Sequence, residues 1–182
     1  MQHQFLRIAF EVGLALILMA LSSQVSVSLP GLALPLTFQS MCAIMLPLVI
    51  ARRNAAGGIV LFLILALFGL PILAGGASGA QHFTGLSGGF LMGLYIVAQG
   101  AGILKKLIRH PRLISNLFIF LSMHVLLLSC GLLWIFIQDL GVITWADYVS
   151  PFLPGIVVKS FIGTIVVSAV GWIKKRRVKL VN

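Results

Sequence analysis

Charged residues are scarce in this chain, and acidic ones are nearly missing. Of 182 residues, 13 are Lys or Arg and 3 are Asp or Glu, so 9% are charged while 60% are apolar. A soluble globular domain carries about 25% charged residues, which water solvates at its surface. The composition therefore excludes a soluble domain and indicates a protein that crosses a membrane several times. The length favours one membrane domain over residues 1–182.

Motifs that carry chemistry are also missing. Cys42 and Cys130 both lie in apolar stretches, which is typical of helix packing and not of a disulfide framework or a metal site. The sequence has no GxxxxGK(S/T) motif for ATP and no HExxH motif for zinc. We therefore expect no metal and no cofactor.

One arrangement resembles a hydrolase motif. Residues 76–79 read G-x-S-G, and His82 and His124 are available as bases. A serine nucleophile needs its base within hydrogen-bond reach, but here the serine lies in a connector and His124 lies inside an apolar segment. We therefore do not expect an enzyme. Proton-coupled transport through Glu11 stays open, although a single membrane acid is its only support.

Six apolar segments are candidates for membrane helices, since about 20 apolar residues cross the hydrocarbon core. A Pro-rich connector, LPGLALP, follows the first segment, and a Gly-rich connector, AGGASGAQHFTGLSGG, precedes the fourth. The sequence thus predicts an all-α integral membrane fold. It is a bundle of six transmembrane helices at about residues 5–27, 36–50, 55–73, 88–104, 114–137 and 153–173.

Positive charge predicts the orientation of this bundle. The three connectors on one side contain no Lys or Arg and carry Asp139 and Asp147. Because cytoplasmic loops are enriched in Lys and Arg, we expect both termini in the cytoplasm of a multi-pass cell-membrane protein. The net charge of +10 does not indicate a nucleic-acid site, since short basic clusters between spans are typical of contacts with membrane lipids. The basic residues assigned to the cytoplasmic side are Arg7, Arg52, Arg53, Lys105, Lys106, Arg109, Arg112, Lys174, Lys175, Arg176, Arg177 and Lys179.

Lys159 is the remaining basic residue and lies inside the sixth segment. A charged side chain at the bilayer centre costs about 2.5–3.5 kcal/mol on insertion scales. Its ammonium could extend to the outer headgroups, or it could face the bundle interior beside an anion. Glu11 lies at a different depth, and Asp139 and Asp147 lie in the outer connector. The remaining candidate is a ligand from outside that bears a carboxylate or strong acceptor groups.

Two polar residues, Thr37 and Gln39, begin the second segment from the same side. The amide of Gln39 can pair with an amide or a urea, or it is a plain interfacial residue. The Gly-rich connector can bring its backbone close to a ligand, or it is a flexible link.

Small residues recur at a spacing of four in two segments. Gly85, Gly89 and Gly93 favour close packing inside the bundle, and Ala9 and Gly13 favour contact with another membrane protein.

Four stretches together are similar to one transporter family. They are LPLTFQ at 34–39, GLPILAGGASG at 69–79, GLSGGFLMGL at 85–94 and PFLPGIVVK at 151–159. The chain resembles BioY, the biotin-capture subunits (S components) of energy-coupling factor transporters, from the first helix into the sixth. The resemblance implies a six-helix bundle with cytoplasmic termini that binds biotin from outside and performs no chemistry. It also implies ATP-driven uptake with a transmembrane coupling subunit and two ATP-binding subunits.

The resemblance also implies binding residues. The implied ligand contacts are Gly75, Gly76, Ser78, Gly89, Phe90 and Lys159. The nearest fits to the small residues that contact the coupling subunit are Ala9, Gly13 and Ala15.

Two positions depart from the family pattern. Ile156 stands where the family usually has Asp, and Phe90 stands where it usually has Tyr. Another residue must then recognise the biotin ring, and Gln39 is the candidate. The alternative function is an S-type or solitary carrier for another small, mostly apolar vitamin or carboxylic acid.

Overall fold

Helices dominate the structure. The computed structural model of the chain describes residues 2–27, 36–108, 113–141 and 144–181, so the Pro-rich connector at 29–35 lies outside the described residues. The elements are α1 (Gln2–Gln24), β1 (Ser26–Val27), β2 (Leu36–Thr37), α2 (Gln39–Val49), α3 (Arg52–Leu67), a 3-10 turn (Ala74–Gly76), α4 (Gln81–Thr84), α5 (Gly88–Leu107), α6 (Leu113–Ile137), α7 (Trp145–Tyr148) and α8 (Phe152–Val181). The prediction of a helical membrane protein is confirmed, apart from one pair of two-residue strands.

Within the described residues, four helical segments are long and apolar enough to cross a membrane. They are Gln2–Gln24, Gly88–Leu107, Leu113–Ile137 and Phe152–Arg176. The second and third expected spans are shorter in the structure, because α2 has 11 residues and α3 has 16. Both fall below the roughly 20 residues that cross the hydrocarbon core alone. The count of six spans therefore stays a prediction.

Local backbone contacts set the bounds of these two helices, and hydropathy gives no sign of such contacts. β1 pairs with β2 in antiparallel fashion, so the chain is extended at 36–37 and α2 begins at Gln39. α3 ends at Leu67 and not near residue 73, because Gly69 takes a left-handed φ of 99°. Leu70 N then bonds back to Leu65 O at 3.0 Å, which closes the helix C-terminus.

The short helix α2 is the centre of the bundle. It packs against α1, α3, α5, α6 and α8, and most of its side chains are buried. Two lysines bind its C-terminal carbonyl groups: Lys105 Nζ donates to Leu48 O at 2.7 Å and Lys174 Nζ donates to Val49 O at 2.6 Å. Positive charge at a helix C-terminus is favourable, so these lysines fix one end of α2. Its other end faces the cavity described below.

Glycines let α1 approach α3 and let α5 approach α6. A Cβ built on Gly58 of α3 would overlap Ala15 of α1. A Cβ built on Gly89 of α5 would overlap Trp134 of α6 and would lie 2.6 Å from Cys130 O. Without a side chain at these points the helix backbones come close together. The small-residue spacing in α5 therefore serves packing inside the bundle, as expected.

Candidate functional site

A cavity of about 470 Å³ lies where α2, α5 and α8 begin. Its volume is within the range of about 300–1,000 Å³ that is usual for small-molecule sites. Leucine and phenylalanine side chains of α5, α6 and α8 form much of its wall. The polar groups that matter below are Thr37, Gln39, Ser40, His124 and Lys159. This combination suits a mostly apolar ligand with a few polar groups.

Lys159 points into this cavity from α8. Its Nζ donates to Ser40 Oγ at 2.9 Å and to Thr37 O at 3.3 Å. An ammonium has three N–H donors, so these two protein acceptors leave one donor available to a ligand. The side chain lies in the bundle interior, and the alternative in which it extends to the headgroups is wrong.

No carboxylate among the described side chains forms an ion pair with Lys159. Glu11 accepts instead from Arg7 Nε at 3.0 Å and from Asn54 Nδ2 at 2.8 Å, beyond the C-terminus of α2. The side chain of Asp147, the other candidate partner in the outer connector, lies outside the described residues. A buried charge without its counter-charge is unfavourable. Contact with Lys159 would therefore contribute the most binding free energy to a ligand that carries a negative charge.

His124 of α6 orients Ser40 toward the lysine. His124 is 2% exposed, and its Nδ1 lies 2.9 Å from Phe120 O and 3.1 Å from Ser160 Oγ. A carbonyl oxygen can only accept, so in the neutral ring Nδ1 carries the proton and Nε2 is an acceptor. Nε2 faces Ser40 Oγ at 3.4 Å. The serine hydroxyl therefore donates to the histidine, and its oxygen is free to accept from Lys159.

Gln39 contributes an amide to the cavity wall. It is 7% exposed, and its Nε2 has no hydrogen-bond partner among the described residues. A buried donor without a partner costs about 1–3 kcal/mol. An acceptor on a ligand, such as a ureido or amide carbonyl, would remove that cost.

Two aromatic rings form another part of the wall. Phe90 of α5 and Phe152 of α8 stack with their centroids 5.8 Å apart and their planes 17° from parallel. Gly131 of α6 lies behind Phe90, because a Cβ built on it would overlap the ring. The position of the stack thus depends on a glycine of a third helix. The stack offers an apolar face to a ring system.

A model of the BioY family matches residues 2–176 of the chain. The chain belongs to the BioY family. Two curated relatives are each named biotin transporter BioY. The relative from Rhizobium etli is 29% identical over 164 residues, which cover 86% of this chain and 88% of the relative. The relative from Rhodobacter capsulatus is 30% identical over 141 residues, which cover 71% and 74%.

A crystal structure of the S-component for biotin from an ECF-type ABC transporter is similar in three dimensions. Its TM-score is 0.78 at 22% sequence identity, over 92% of both chains. This likeness establishes the fold of the BioY-family chain. The chain belongs to the BioY family, relatives of it are named as transporters, and four described helical segments are long and apolar enough to cross a membrane. Together these findings identify a multi-pass membrane transport protein and not an enzyme.

Four of the residues predicted to contact the ligand line the cavity of this BioY-family protein. They are Thr37, Gln39, Phe90 and Lys159. Ser40 is a site residue that the sequence does not predict, and His124 is predictable from the sequence only as a base for hydrolysis. Nothing in the spacing of α2 and α6 indicates that these two side chains meet, so no signal for them was present in the sequence.

The Gly-rich connector borders the cavity, with small side chains at its start and larger ones, Gln81, His82 and Leu86, further along. Ala74 and Ala77 line the cavity, while Gly75, Gly76 and Ser78 are not among the lining residues. Gly75 and Gly76 take left-handed φ values of 67° and 75°, which glycine adopts without strain. Their contact with a ligand, like that of Ser78, stays a prediction. Gly89, the other predicted contact, packs against α6.

Ile156 is buried in the cavity wall, one turn before Lys159 on α8. The side chain beside the lysine on this face of the cavity is therefore apolar and offers it no counter-charge. Neutral groups of α2 and β2 hold the ammonium instead, at Ser40 Oγ and Thr37 O.

Proposed function

We propose that this chain is the substrate-binding membrane subunit that captures biotin from outside the cell for ATP-driven uptake. The observation that carries the proposal is the ammonium of Lys159, which is held in the cavity wall by neutral groups and has no ion pair among the described side chains. Biotin brings a carboxylate to such a site. The relatives named as biotin transporters support this ligand.

Each part of biotin has a suitable partner on the cavity wall. The carboxylate suits Lys159, because hydrogen bonds between charged groups are the strong ones. The ureido carbonyl suits the unpartnered Nε2 of Gln39. The bicyclic ring and the valeryl chain suit the stack of Phe90 and Phe152 and the leucines beside it. With Ile156 in the wall, ring recognition passes to the amide of Gln39.

Binding of labelled biotin to the purified full chain in detergent tests this proposal. We expect biotin to bind about 100-fold more tightly than lipoate, which shares the carboxylate and an apolar chain but lacks the ureido group. Tighter binding of lipoate or of another small vitamin would instead support the alternative carrier function. Absence of binding by every ligand of this class would reject a vitamin-capture role.

We further propose that a transmembrane coupling subunit and two ATP-binding subunits act with this chain. The structural neighbour comes from an ECF-type ABC transporter, which supports such partners. The candidate contact surface is the small-residue face of α1, where Ala9 is exposed and Gly13 has open space beside it. Ala15, the third residue predicted for this contact, is fully buried against Gly58 of α3 and so does not lie on this surface.

Gly13→Leu is expected to reduce the coupling subunit recovered with the tagged chain from native membranes by about tenfold. A leucine keeps helices apart where a glycine allows close approach. Gly171→Leu is the matched control, because Gly171 of α8 also has no atoms within 4 Å of a built Cβ. Biotin binding by the purified chain should not change. Equal recovery with the two variants would exclude this face of α1.

We also propose six membrane helices in one domain over residues 1–182, with both termini in the cytoplasm. Arg7, Arg52 and Lys106 line one cleft, and two lysines bind the C-terminal carbonyl groups of α2 nearby. This grouping of basic side chains at one end of the bundle supports the orientation through the positive-inside rule. Arg109 and Arg112, assigned to the same side, lie outside the described residues.

A further inference from the structure

A second cleft lies at the basic end of the bundle, away from the ligand cavity. Its volume is about 530 Å³, and α1, the residues at the start of α3 and the end of α5 form it. Its charged side chains are Arg7, Glu11, Arg52, Arg53 and Lys106. Four cations thus share the cleft with one carboxylate.

Protein groups already satisfy this carboxylate. Glu11 is 8% exposed, and it accepts from Arg7 Nε at 3.0 Å, from Asn54 Nδ2 at 2.8 Å and from Ala51 N at 3.3 Å. Its two oxygens therefore hold three donors from α1 and from the start of α3. Glu11 balances the charge of Arg7 and leaves the other cations of the cleft without a counter-charge.

Three cations of the cleft have no acidic partner among the residues that the structure describes: Arg52, Arg53 and Lys106. The aliphatic part of Arg52 packs where a Cβ on Gly102 of α5 would be, so this side chain bridges α3 and α5. Guanidinium groups match the oxygen atoms of a phosphate group with paired hydrogen bonds, and an ammonium adds a point charge. The cleft is thus suited to a phosphate-bearing anion.

Apolar surface continues from the cleft along the outside of the bundle. Ile8 of α1 lines the cleft, Phe5 of the same helix is 71% exposed, and Leu107 at the end of α5 is 70% exposed. In a chain that spans the bilayer, such surface contacts acyl chains. We propose that this cleft binds the phosphodiester headgroup of an acidic phospholipid, with the acyl chains against α1 and α5.

Equilibrium binding of labelled phosphatidylglycerol to the purified full chain in detergent tests this site, with phosphatidylcholine as the zwitterionic comparison. The double variant Arg53→Gln, Lys106→Gln is expected to weaken phosphatidylglycerol binding about tenfold and to leave phosphatidylcholine binding unchanged. Both side chains are exposed, so the variant should keep its elution profile. Inorganic phosphate at millimolar concentration should not displace the lipid.

Lys175→Gln with Arg176→Gln is the matched control, since it removes the same charge from exposed positions of α8 outside the cleft. Its affinity for phosphatidylglycerol should stay within twofold of the parent protein. An equal loss in the two double variants would show diffuse attraction to the basic end and would overturn the site. Displacement of the lipid by inorganic phosphate would mean a site for soluble phosphate and would overturn the assignment to a lipid.

Discussion

Lys159→Met is expected to weaken biotin binding by about 100-fold in the purified protein. Methionine keeps the length and apolar stem of the side chain but removes the ammonium that donates to Ser40 Oγ and Thr37 O. A hydrogen bond to a charged group contributes about 1.5–3 kcal/mol, and 1.4 kcal/mol is a tenfold change in affinity. The measurement is a titration with labelled biotin in detergent.

A second ligand separates the lysine–carboxylate contact from a general effect on the cavity. Biotin methyl ester has no negative charge, so its affinity should change less than fivefold on Lys159→Met. Lys175→Met is the matched control, because Lys175 is an exposed lysine of the same helix that does not line the cavity. Equal losses for biotin and its ester would mean that the lysine does not face the carboxylate. An unchanged affinity for biotin would remove Lys159 from the site.

Gly131→Val is expected to weaken biotin binding by about 30-fold. A Cβ on Gly131 would overlap the ring of Phe90, so the ring must leave its stack with Phe152. α6 lies behind the ring and the cavity lies in front of it, so the ring moves into the space that a ligand needs. Overpacking of this kind costs roughly 1–3 kcal/mol. Titration with labelled biotin measures the loss of affinity, and the melting temperature of the variant measures the loss of stability.

A smaller residue in place of Phe90 should restore much of the biotin affinity that Gly131→Val loses. Phe90→Leu added to Gly131→Val relieves the overlap, and we expect it to restore affinity to within about fivefold of Phe90→Leu alone. Such a non-additive result is the signature of two side chains in contact. Gly171→Val is the control, because Gly171 has open space beside it. Normal biotin binding by Gly131→Val would place the ligand away from Phe90.

The membrane class, the helical fold and the unusual position of Lys159 could all be predicted. Hydropathy and the distribution of Lys and Arg are properties of single segments, and a segment keeps them whatever it packs against. The lengths of α2 and α3 could not be predicted in the same way. The pairing of β1 with β2 delays the start of α2, and the left-handed Gly69 ends α3 early, yet neither contact changes the apolar character of the segment.

The same distinction, between properties of one segment and contacts between segments, applies to the candidate site. Gln39 and Lys159 were identifiable because a polar amide and an ammonium are conspicuous in apolar segments. The hydrogen bonds that link His124 to Ser40 and Ser40 to Lys159 were not identifiable. They join residues separated by 84 and 119 positions in the chain, so they exist only where α2, α6 and α8 meet.

By itself, then, the sequence determined that this chain lies in a membrane, that its basic residues gather in a few clusters, and that it is similar to the BioY family. The tertiary structure decided that Lys159 turns inward, that Glu11 pairs with Arg7 at the far end of α2, and that Ile156 and Phe90 share one cavity wall. The physical reason is that hydropathy and charge accumulate along the chain, whereas a hydrogen bond or a stack depends on which faces of separate helices come within a few ångströms of each other.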